Sequence, residues 1–149
     1  MYKKILVPLD GSGLAECVLP HVTAIAKGCG IEKVVLLRVV EPIPVEAPAA
    51  IDFEAVQKDS VKAAEKYLTK TKTKLSKKGL NVEAKVSTGR PAENITEFAE
   101  RNKVDLVAIA THGRSGISRW IFGSVAGKLV RSCAIPMLII KPVGSKYGI

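Results

Sequence analysis

Aromatic side chains are scarce, with three Phe, three Tyr and one Trp making up 5% of 149 residues. Single-stranded nucleic acid is held largely by stacking its bases on aromatic rings. Nucleic acid is therefore not an expected partner, although 23 Lys and Arg against 14 Asp and Glu leave a formal charge of +9. Cysteine is equally thin: Cys17, Cys29 and Cys133 are odd in number and lack a C-x-x-C spacing. That excludes a disulfide framework and a Cys-built zinc site, and the three are expected as small buried or half-buried apolar residues. No apolar run approaches the roughly 20 residues that span a bilayer. The opening MYKKILVPLDGS turns polar too soon for a signal peptide, so a cytoplasmic chain with no membrane partner is expected.

What is present is ordinary for a globular domain, 47% hydrophobic and 25% charged. A chain of this length buries about 70% of the surface it exposes when unfolded, enough for one core. A single domain over residues 1–149 is expected. Lys4 to Leu9 and Val34 to Val40 are near-continuous apolar runs of the kind buried on both faces of a sheet. Val82 to Ser87 alternates as a third strand, and Leu106 to Ala110 and Pro136 to Lys141 supply a fourth and fifth. Between them, Leu14, Val18, Val22 and Ile25 recur at helical spacing, with Pro20 expected to bend or break that helix. His21 is expected at the surface of the same helix. Further helices are predicted from about Phe53 to Lys78, from Pro91, and over Val125 to Ser132. Strands alternating with helices imply right-handed crossovers and a parallel sheet covered on both faces. Ligands of such sheets sit beyond the strand C-termini, at the switch point.

The segment VAIATHGRSGISRWIFGS, Val107 to Ser124, holds the strongest chemical signal. A buried strand breaks at Thr111, His112 and Gly113 into a Gly-rich loop that ends at Gly123 and Ser124, with Ser124 expected to cap the next helix. Amides of Val125 and Ala126 would then face outward and attract an anion. The glycines would equally serve to shape a surface loop. Two nucleotide motifs can be tested. GSVAGKL, Gly123 to Leu129, is one residue short of a P-loop and lacks the Ser or Thr after Lys128. Gly11-Ser12-Gly13 imitates a dinucleotide fingerprint, but Glu16 replaces its third glycine and Asp10 would repel a pyrophosphate. No paired carboxylates and no triad accompany His112.

Three stretches together, KKILVPLDGS (Lys3 to Ser12), STGRPAENI (Ser87 to Ile95) and THGRSGISRWIFGSVAGKLVRSCAIPMLIIKP (Thr111 to Pro142), resemble the universal stress protein family over nearly the whole chain. The resemblance implies a Rossmann-like α/β fold of the adenine nucleotide alpha hydrolase-like type, a five-stranded parallel sheet of order 3-2-1-4-5. In the family's nucleotide-binding branch the loop reads Gly, two residues, Gly, nine residues, Gly, then Ser or Thr. Gly113, Gly123 and Ser124 fit, while Ala110 stands in place of the first glycine. By the same resemblance Pro8, Asp10 and Val39 line the adenosine end with Ile109, Ala110 and Thr111. His112, Gly113, Gly123, Ser124, Val125 and Ala126 surround the ribose and phosphates. The implied ligand is ATP or AMP, with Mg2+ accompanying ATP, and the implied role is stress-response regulation with little or no turnover. Two alternatives stand beside it, a dimeric adaptor without nucleotide and a slow ATP hydrolase using His112. The family also implies a homodimer joined through the last strand, and the apolar Met137 to Ile140 is unsuited to an unpaired edge.

Overall fold

The computed structural model describes residues 1–44, 46, 50–111 and 123–142. Its five strands are β1 (Lys4–Pro8), β2 (Lys33–Val40), β3 (Val82–Thr88), β4 (Leu106–Ala110) and β5 (Met137–Ile140). Its helices are α1 (Leu19–Gly28), α2 (Phe53–Ser76), α3 (Pro91–Arg101) and α4 (Ser124–Ser132), with one 3-10 turn at Ala15–Val18. The strands form one sheet in the order β3-β2-β1-β4-β5. Every neighbouring pair is parallel, as crossover helices require.

Alternation along the strands builds two cores. Ile5, Val7 and Leu36 meet Val18, Val22, Leu68 and Leu75 on the α1/α2 side. Leu6, Leu37 and Val107 meet Ile95, Ala99, Ala126 and Leu129 on the α3/α4 side. This is why β1, β2 and β4 read as continuous apolar runs: their successive side chains enter different cores.

Three expectations need correction. The predicted first helix is two elements that meet beside Pro20, the break that is one of its two expected effects, and Pro20 lies in the first turn of α1 rather than in a helix interior. A first-turn proline costs no helical hydrogen bond, so it starts the helix and does not bend it. Ser124 is the first residue of α4; the N-cap is Gly123, in extended conformation with no side-chain cap bond. Cys29 is exposed at the end of α1, whereas Cys17 and Cys133 are half-buried. His21 is exposed. Among the described residues no helix is long and apolar enough to cross a membrane.

Candidate functional site

The strands end at different heights. Pro8 pairs with Leu37, the Leu9 amide bonds the Leu37 carbonyl at 2.9 Å, and β1 then stops while β2 runs on to Val40. On the other side the register of β1 with β4 ends at Leu6 and Val107. Proline has no amide hydrogen with which to continue that ladder. β4 meanwhile reaches Ala110, paired with Ile140. The middle strand therefore ends below both of its neighbours, and a crevice opens above its end.

Backbone direction follows from the same bonds. Because the Leu37 carbonyl faces β1, the peptide of Val39, two residues on, faces the space beyond β1. Thr111 donates its amide to Ile140 at 2.9 Å, so the preceding residue, Ala110, turns its peptide the opposite way, toward β1. Two strand edges thus look at each other across the crevice. An open strand edge offers alternating donors and acceptors, suited to a planar heterocycle with both on its rim.

A cavity of about 630 Å³ occupies this place. Of the residues anticipated from sequence, Pro8, Asp10, Val39, Ile109, Ala110, Thr111, Gly123, Ser124, Val125 and Ala126 all line it. His112 and Gly113 lie outside the described residues. The first turn of α4 forms one wall, and its leading amides give that wall a positive end. Thr111 and Gly123 are tied by a hydrogen bond from the Gly123 amide to the Thr111 carbonyl, which joins the end of β4 to the start of α4.

Asp10 sits at the floor. Its Oδ1 accepts from the Ser12 amide at 2.8 Å and from Ser12 Oγ at 2.6 Å, and Ser12 Oγ accepts from the Ala15 amide at 3.1 Å. Gly11, at φ 85°, supplies the left-handed residue that lets the chain fold back for these bonds. The turn is a side-chain-closed loop, not a dinucleotide fingerprint. Ala110 also finds its explanation here. It lies within β4, and Lys103 is the sole non-glycine with positive φ among the described residues. Alanine is therefore accommodated without backbone strain where the family motif has glycine.

Several wall residues escaped sequence reading. Pro91 and Ile95 enter from α3, and Ser60, Ala63, Ala64 and Tyr67 from α2. Arg38 also lines the cavity, and its Nη1 donates to the Val39 carbonyl at 3.2 Å. The Tyr67 hydroxyl is pushed up to about 12, chiefly by burial and then by the negative charge of Glu16. It stays a neutral phenol at any physiological pH. Arg38 had a signal, since alternation puts it on the face opposite Val39; the helix residues had none beyond lying on an inward stripe.

A sequence model of the universal stress protein family matches residues 1–141. The chain belongs to the universal stress protein family. A universal stress protein of Methanocaldococcus jannaschii is 33% identical over 142 residues, covering 95% of this chain and 83% of that protein. A second from the same organism is 29% identical over 156 residues, covering 95% and 96%. The solved structure of that second protein superposes with a TM-score of 0.86 at 30% identity, over 97% of this chain and 99% of its own. The family fold also appears in universal stress proteins solved with small nucleotides. One is in complex with cAMP (TM-score 0.72, 20% identity, 95% of this chain and 98% of its own). Another, from Arabidopsis thaliana, has AMP bound (0.69, 19%, 95% and 93%). The Archaeoglobus fulgidus protein is in complex with dAMP (0.69, 21%, 94% and 98%).

Proposed function

We propose that this universal stress protein binds an adenine nucleotide, AMP or ATP, in the crevice above β1, and acts as a regulatory binder rather than through turnover, as one domain over residues 1–149. The observation that carries the reading is the pair of facing strand edges at Val39 and Ala110, set over the end of β1 and beside the N-terminus of α4. The base would lie between the two edges and the ribose above Asp10. The phosphates would face the amides of Ser124, Val125 and Ala126, with His112 and Gly113 completing the loop. Nucleotides in the cAMP, AMP and dAMP complexes of the same fold support the ligand class. Among the described residues no three His, Cys, Asp or Glu side chains converge. Magnesium would therefore ride on the phosphates of ATP, which supply hard oxygen ligands of their own.

The reading extends to assembly. β5 is an edge strand whose four residues are all half-exposed. Antiparallel pairing of two copies through Pro136 to Lys141 would cover those edges and place the two nucleotide sites on one dimer.

Thermal unfolding with and without ATP or AMP tests the binding. A ligand at 100 times its Kd adds about 2.7 kcal/mol, which for a chain of this size raises Tm by about 5 to 11 °C. No shift with ATP, ADP or AMP, together with no nucleotide released on denaturing freshly purified protein, would refute it and favour the adaptor role.

A further inference from the structure

Helix α2 uses one side for the fold and leaves the other to solvent. At about 100° per residue, its buried Ala64, Leu68, Thr71 and Leu75 cluster around one direction. Lys62, Lys66, Lys70 and Lys77 fall within about 80° of arc diametrically opposite, with Lys58 and Lys74 at the margins. All six are exposed. Thr69 and Thr73, which share this face, are short enough to leave the ammonium groups foremost. The row extends about 28 Å along the helix axis.

From Lys66 onward this charge is uncompensated. Among the described residues the salt bridges engage Lys3, Lys33, Lys85 and Arg101, and none engages a lysine of α2. Between Glu65 and Glu83 the chain carries six lysines and no acid. A helix face that only needs to be soluble intersperses both signs, because opposite charges four residues apart stabilise it and like charges oppose it. Asp59 interrupts the N-terminal part of this face, but from Lys66 to Lys77 the like-charge cost is kept with no acid between.

We infer that this face docks on the phosphate backbone of double-helical nucleic acid, without reading its sequence. A duplex offers a dense line of negative charge, one per about 1.7 Å of axis. Lysines engage it as point charges, whereas sequence reading favours the bidentate fork of arginine. The shortage of aromatics, which counts against a single-stranded partner, has no bearing on a backbone contact. A membrane surface fits less well, because the face carries no Leu, Phe or Trp to bury among the lipids. The lysine row shares no residue with the cavity, so the inference is independent of the nucleotide reading.

The test is fluorescence anisotropy of the full chain with a labelled 24-base-pair DNA duplex of arbitrary sequence, from 50 to 200 mM KCl. With four phosphates neutralised, log K should fall with log salt at a slope of about −3.6, a loss on the order of 100-fold over that range. K66E/K70E/K77E should abolish binding at 50 mM. K27E/R101E/K103E, which makes the same change of charge elsewhere, should retain both affinity and slope. Both variants are checked for unchanged far-UV circular dichroism. No binding by the parent chain at 50 mM overturns the inference. So does equal loss in the two triple variants, which would make net charge alone responsible, or binding to phosphatidylserine-containing vesicles without binding to the duplex.

Discussion

Asp10 gives the sharpest way to separate the site from the scaffold, because it serves both. Its Oδ1 closes the turn through the Ser12 amide and hydroxyl, at 2.8 and 2.6 Å, and the residue also lines the cavity. Replacing it by alanine removes two bonds to a partly buried carboxylate, at a cost of about 1–2 kcal/mol to the fold. If the same carboxylate accepts a ribose hydroxyl, alanine also costs the complex about 1.5–3 kcal/mol, a 10- to 150-fold weaker Kd. Ser12→Ala is the comparison: it removes the 2.6 Å hydroxyl bond and the support of the Ala15 amide but leaves the carboxylate in place. Isothermal titration with AMP, beside denaturant unfolding, reads the two effects separately. The expected pattern is that S12A loses stability with less than a 5-fold change in Kd, while D10A loses both; the bound is about 1 kcal/mol. Equal Kd values for D10A and the parent chain would refute a role for Asp10 in holding the ligand.

Two further outcomes follow from the ends of the sheet. Asp105 Oδ2 accepts from the amides of Lys3 and Lys4, both at 2.8 Å, and these donors hold its carboxyl below the usual range. A carboxyl lowered in the native state stabilises fully above its unfolded value and loses that contribution as pH falls through the native value. Asp105→Asn should therefore lower stability by about 1–2 kcal/mol at pH 7, and urea midpoints of the two chains should converge as pH drops below about 3.9. On β5, Ile140 faces β4 by accepting from the Thr111 amide, so the Ile139 amide faces the open edge. Ile139→Pro is compatible with an edge strand but removes a donor that a second copy would use. Light scattering should show a monomer for I139P and a dimer for the parent chain; a parent monomer at micromolar concentration would refute the assembly.

Periodicity along the chain was enough to determine where strands and helices lie. The apolar runs at Ile5, Val34 and Val107 and the three- and four-residue spacing in α2 are local properties, set by which side chains must leave water. The loop motif ending at Gly123 and Ser124, with Asp10 at the end of β1, was legible for the same reason: each signature occupies a short stretch. Tertiary structure decided what stands opposite what. Pro91 and Tyr67 come from helices on different faces of the sheet and meet at one cavity only because β1 stops before its neighbours. The acceptance of alanine at position 110 depends on its backbone angles, and the capping of α4 by Gly123 in place of Ser124 on the angle at which the chain enters the helix. The direction of the Val39 and Ala110 peptides is likewise a matter of strand register, which no spacing of residue types along the chain encodes.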